Sequence, residues 1–111
     1  MATEPFYKLV FYVPETHTEE TKAAVFGAGA GRQGDYDCCA WQCRGTGQFR
    51  PGAGATPFLG TAGEIEKVPE DRVETLVAET LMKPVLRALK KAHPYEEPAF
   101  EIIALISPDN F

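Results

Sequence analysis

The segment Gly45-Thr46-Gly47-Gln48-Phe49-Arg50-Pro51 gathers a hydroxyl, an amide and a guanidinium among residues too small to cover their own backbone. Successive uncovered N–H groups make a concavity suited to an anion. Thr46, Gln48 and Arg50 are therefore candidate ligand contacts, and Arg50 offers a planar fork of donors. The segment His93-Pro94-Tyr95-Glu96-Glu97-Pro98 is the second candidate. Its two prolines restrict the backbone, so His93, Tyr95 and Glu96 would be held firmly. Tyr95 adds a rigid aromatic wall and a hydroxyl. His93 also has a structural reading, as a cation favoured at a helix C-terminus.

Other chemistry finds weaker footing. Cys38, Cys43 and His93 are the candidate metal ligands, but structural zinc prefers four ligands with C-x-x-C-like spacing, which is absent. Small buried thiols that only pack are the commoner outcome. Cys38 as a nucleophile needs a neighbouring base such as His93, and nothing in the sequence places the two together. No catalytic residue is assigned, and an enzyme ranks last among the functional readings. Gly29-Ala30-Gly31-Arg32-Gln33-Gly34 matches G-x-G-x-x-G by letter. A dinucleotide site needs those glycines between a strand and a helix N-terminus. Here they follow a helix and enter a strand, so turn chemistry is expected.

The elements that must position these residues begin with Phe6–Val13, a strand rich in aromatic and β-branched residues that ends at Pro14. Thr16 and Thr18 offer capping hydroxyls, Glu19 and Glu20 suit a first helical turn, and Gly27, Gly29 and Gly31 close the helix. A second strand is expected over residues 34–44, then an irregular stretch over 45–63, long enough to suggest function. Residues 64–68 and 71–78 read as extended stretches separated by Pro69-Glu70. Leu81–Ala92 has the clearest helical period, with Leu81, Val85 and Leu89 at i, i+4 and i+8. Residues 99–106 form the last strand. The order predicts an α+β, ferredoxin-like βαββαβ sandwich, an antiparallel sheet with two helices on one face.

At 111 residues the chain fits one domain spanning 1–111. With 44% hydrophobic and 24% charged residues it has the composition of an ordinary globular protein. A net charge of -5 argues against a nucleic-acid partner. Met1–Pro5 carry an acid and no basic residue, so no secretory leader is expected, and no apolar run approaches a membrane span. Three closely spaced cysteines (Cys38, Cys39 and Cys43) fit reduced thiols and a cytoplasmic location.

Both faces of the strands are apolar. Tyr7, Leu9, Phe11 and Val13 point one way, and Phe6, Val10 and Tyr12 the other. Helices on one side leave the second face to another subunit, so a homo-oligomer is expected.

The blocks YKLVFYVPETH, GAGAGRQGDYDCCAWQ, GTGQFRP and LKKAHPYEEPAFE, in that order across Tyr7–Ile103, resemble the YqfO family. In larger YqfO proteins this module resembles an insert within a dinuclear-metal protein; here it is expected to stand alone. HPYEEP is also similar to the HPYxxP segment of CutA proteins, and both families are grouped with PII-like folds. The resemblance implies a trimer formed through the open sheet face. It also implies ligand sites in clefts between subunits, used for nucleotides in PII-like proteins and for metals in CutA-like ones. Cys38 stands where relatives often have histidine, which weakens an imidazole-based metal site there. No dinuclear-metal ligand is carried over, and no cofactor is identified. The expected function is a non-enzymatic, oligomeric binding or sensor module for a small ligand. A CutA-type metal-binding protein is the alternative.

Overall fold

Phe6–Pro14 forms strand β1, the centre of a sheet described here from a computed structural model over residues 4–111. Residues 1–3 of the N-terminal stretch read above for a leader lie outside the described residues. Helix α1 (Thr18–Gly27) follows a single 3-10 turn. Strands β2 (Trp41–Phe49) and β3 (Glu66–Ala78) come next, then helix α2 (Met82–Ala92) and strand β4 (Phe100–Ala104). The sheet order is β2-β3-β1-β4, with every neighbour antiparallel. This is the ferredoxin-like βαββαβ sandwich. Among the described residues no helix is long and apolar enough to cross a membrane.

Register explains the core. Leu9, Phe11 and Val13 of β1 lie opposite Thr75, Val73 and Asp71 of β3, so odd-numbered residues of both strands share one face. Val25 of α1 and Val85 and Leu89 of α2 close on that face, and all are buried. Pro84 sits in the first turn of α2, where its missing N–H costs nothing.

Several boundaries differ from the sequence reading. The second strand runs over 41–49, not 34–44, so Gly45–Phe49 belongs to a ladder rather than a loop. Gly45 and Gly47 weaken a strand in isolation, but pairing with the continuous β3 overrides local preference. Residues 34–40 instead turn, with positive φ at Gly34 (58°) and Cys38 (54°). The stretches around Pro69-Glu70 form one strand. β1 ends at Pro14, opposite Glu70, so at Pro69 the strand is paired on one side only and tolerates a missing donor.

The glycine run does turn chemistry. Gly31 has φ 79°, and its N–H donates to the Leu76 carbonyl at 2.8 Å, beyond the start of β2. A Cβ there would lie 2.9 Å from the Cys39 nitrogen. The threonine caps do not form, since α1 has no side-chain cap. Thr18 donates instead to Asp71 Oδ2 at 2.6 Å.

The second sheet face is less apolar than expected. Val10 is fully buried within one chain, and polar groups from the same face surround it. Lys8 pairs with Glu74 at 3.1 Å, Arg72 with Glu74 at 3.2 Å, and the Tyr12 hydroxyl donates to Glu101 at 2.9 Å. Apolar exposure is confined to the flanks, at Trp41 (59% exposed) on β2 and Ile103 (41%) on β4.

A buried carboxylate joins three elements. Asp71 is 3% exposed and accepts from Thr18 and from Arg44, whose Nε lies 2.6 Å from Oδ1. Arg44 also reaches Glu15 at 2.6 Å. The Arg44 hydrogen bond, aided by Thr18, holds the Asp71 carboxyl below its ordinary value despite burial. That group therefore stabilises the fold above about pH 4, the unfolded carboxyl value, and its contribution is lost as pH falls through the folded value. Asp71→Ala should lower stability by about 2 kcal/mol at neutral pH, measured by urea unfolding. The difference from the parent should shrink in acid; an unchanged difference at pH 3 would show that the carboxylate's charge is not what stabilises.

Candidate functional site

Beyond the end of β1, the β2–β3 hairpin continues, and residues 50–65 fold back towards the connection between α2 and β4. A cavity of about 340 Å3 lies between them. Register puts Phe49 and Glu70 on the same sheet face as Tyr12, and all three line the cavity. Pro51, Phe58 and Leu59 come from the returning loop, and Tyr95, Glu96 and Glu97 from the α2–β4 connection.

Ring contacts hold these walls together. The Tyr95 ring meets Phe49 edge-on at 5.6 Å and lies 6.5 Å from Phe58, which meets His17 at 5.4 Å. The Thr56 N–H donates to Glu96 Oε1 at 3.2 Å. The loop and the HPYEEP corner thus meet within one chain. A neighbouring subunit is not needed to bring them together.

Tyr95 is fixed from two directions. His93 is buried, and its Nε2 lies 2.7 Å from the Tyr12 carbonyl, so that nitrogen carries the proton and donates. Its Nδ1 accepts the Tyr95 N–H at 3.1 Å. The neutral imidazole satisfies both, and burial holds its pKa below the ordinary histidine value. The Tyr95 hydroxyl donates to Glu70 Oε2 at 2.9 Å. Burial, followed by that bond and the charges of Glu70 and Glu66, pushes the phenol well above its usual range, so it stays a donor. Gly47 makes room for this arrangement, because a Cβ there would overlap the Glu70 carboxylate.

Of the residues singled out from sequence, Gln48, Arg50, Tyr95 and Glu96 line the cavity. Thr46 and His93 do not. Thr46 pairs with Pro69 in the ladder and faces the other way, and His93 works behind Tyr95. The aromatic and carboxylate lining from Tyr12, Phe49, Phe58 and Glu70 was not singled out. Phe58, directly after Pro57 in a glycine-rich loop, was the available signal. Cys38, Cys43 and His93 do not assemble as ligands: among the described residues no group of three or more His, Cys, Asp or Glu side chains could hold a metal ion. Both His93 nitrogens are already engaged. The three cysteines are free thiols. Cys38 and Cys43 are exposed rather than buried, and Cys38 and Cys39 lie outside β2, the strand that carries Cys43.

No protein-family model matches the chain. It is 54% identical over 101 residues to a GTP cyclohydrolase 1 type 2 homolog of Mycobacterium leprae, covering 91% of this chain and 26% of that protein. The structure of a Bacillus cereus protein related to NIF3 superposes with a TM-score of 0.83 at 38% identity, covering 96% of this chain and 27% of the other. CutA from Synechococcus elongatus shares the fold at a TM-score of 0.65 and 18% identity, over 96% of this chain and 81% of CutA. The chain spans about a quarter of the length of the curated relatives it matches. The resemblance to YqfO-type proteins, with a CutA-like and PII-like fold, is thereby established for this segment.

Because His93 is neutral in the fold and its pKa is depressed, the unfolded chain binds the extra proton first. Stability should fall as pH drops through about 6.5, the unfolded histidine value, and level off below the folded one. Urea unfolding between pH 8 and 5 should show this slope, and His93→Gln should flatten it. A parent and variant with the same pH dependence would show that His93 is not held neutral.

Proposed function

We propose that this chain, a relative of one segment of NIF3/YqfO-type proteins, is a binding module that takes a small ligand into the cavity between residues 50–65 and Tyr95–Glu97. The supporting observation is the preformed, aromatic-walled cavity, whose walls are tied by ring contacts and the Thr56–Glu96 hydrogen bond. Its volume of about 340 Å3 lies in the range of small-molecule sites. Binding rather than catalysis fits the groups present, since the Tyr95 phenol is held protonated on Glu70 and the described lining residues include no Ser, Thr, Cys, Lys or His.

The module works in a homotrimer through the sheet face flanked by Trp41 and Ile103. The exposure of those two side chains beside a buried Val10 supports this reading. A cytoplasmic setting belongs to the same proposal and rests on the free thiols.

Thermal shift against nucleotides, amino acids, amines and divalent metals tests the site. A ligand at a hundredfold excess over its Kd should stabilise by about 2.7 kcal/mol, and Phe58→Ala should abolish the shift. A shift that persists undiminished in both Phe58→Ala and Tyr95→Ala places the ligand elsewhere. Sedimentation equilibrium should give the mass of three chains, reduced by Trp41→Glu. A single-chain mass throughout the micromolar range removes the trimer.

A further inference from the structure

The cavity's charge balance identifies its occupant more closely. Three carboxylates, Glu70, Glu96 and Glu97, line it against one guanidinium, Arg50. Glu66, opposite Phe49 in the ladder, adds negative charge from the next rung. The walls include four aromatic rings, from Tyr12, Phe49, Phe58 and Tyr95; Arg72 already lies 5.7 Å over the Tyr12 ring, which leaves the other three to a ligand. Ring faces are electron-rich and attract cations at these sites, most strongly where water is displaced.

From the juxtaposition of aromatic walls with an excess of carboxylates, we infer that the cavity binds an organic cation, a protonated or quaternary amine on an apolar body. This rests on reading the cavity as a ligand site and adds the ligand's charge and class. An anion finds little there. The Gly45–Phe49 segment that would have cradled it is a paired strand, and the Thr56 N–H is spent on Glu96. Arg50 forms no ion pair among the described residues. It acts as the built-in counter-charge that a bound cation must work against.

The carboxylates retain capacity for a cation. Glu70 uses Oε2 for Tyr95 and Glu96 uses Oε1 for Thr56, which leaves each a second oxygen. A bare metal ion is a poorer match, because the described side chains form no coordinating group of three. Cavity volume limits the body to about one ring or a short chain. The net charge of -5 over the whole chain favours approach of a cation.

Benzyltrimethylammonium, titrated into the full chain, is the test probe, with ADP as the anionic comparison and ring-proton NMR and calorimetry as readouts. The cation should move the Phe58 and Tyr95 ring resonances and bind more weakly as sodium chloride rises. Glu97→Gln should weaken it about threefold, and Glu96→Gln with Glu97→Gln about tenfold. Arg50→Ala should tighten it. The cationic class is overturned if Arg50→Ala weakens the probe, or if ADP moves the same rings and loses affinity in that variant; the cavity then stands as an anion site. If neither probe perturbs Phe58 or Tyr95, the cation inference fails and the cavity reading fails with it.

Discussion

The register between β1 and β3 is the constraint on which the rest of this structure depends. Nine consecutive pairs, from Phe6 opposite Ala78 to Pro14 opposite Glu70, give both strands one parity. A slip of one residue would set Leu9 and Phe11 on the opposite face from Val73, so that either Lys8 or the pair Arg72 and Glu74 would turn into the core. The same parity places Tyr12 and Glu70 on the face that lines the cavity. It also sets where β1 stops. β3 continues for four more residues with β2 as its sole partner, so the hairpin projects past the sandwich in a molecule 53 Å along its long axis. Without that projection the loop of residues 50–65 would have no platform from which to return.

The projecting hairpin is tied to the body by groups with no freedom in how they bond. His93 can donate to the Tyr12 carbonyl and accept from the Tyr95 N–H only as one neutral tautomer. A protonated ring would present a donor to the Tyr95 donor. Burial therefore does structural work through protonation state: by depressing the imidazole pKa it keeps Tyr95 aimed at Glu70. Asp71 does the complementary task at the helix side, as a carboxylate kept charged by Arg44 and Thr18. One buried group is held neutral and the other ionised, and each joins elements far apart in sequence.

The element order was legible because strands such as Phe6–Val13 and the helix around Val85 and Leu89 carry strong periodic patterns. What failed was local. Gly45 and Gly47 carry no side chain to signal a strand, and their pairing is decided by β3, whose own continuity was masked by Pro69. Gly47 is informative only once Glu70 is seen lying over it, a contact that no spacing rule anticipates. Arg50, Tyr95 and Glu96 were legible as candidates because Pro94 and Pro98 and the long loop mark them. Their meeting within one chain was not, because it depends on the hairpin's length. The apolar second face was overread for a related reason. Val10 is buried within one chain, and a one-dimensional pattern cannot show that Lys8, Arg72 and Glu74 share its face and pair with one another.

The loop wall of the cavity is also almost wholly exposed. Apart from Pro51, residues 50–65 are exposed throughout, and their internal hydrogen bonds are few: Ala55 to Gly52, Gly63 to Pro51 and Glu64 to Thr61. Ordering a backbone costs about 1–2 kcal/mol per residue, so this wall is held mainly by Phe58, by Thr56 on Glu96 and by its covalent anchorage to a rigid hairpin. Local stability in such a segment lies at the low end of the domain's range. A molecule seated between Phe58 and Tyr95 would bridge the exposed loop wall to the firmly held one and add to the contacts that keep residues 50–65 in place. Under the proposed binding role, occupancy would couple to the shape of an exposed surface, which is what a sensor requires, without any rearrangement of the sheet.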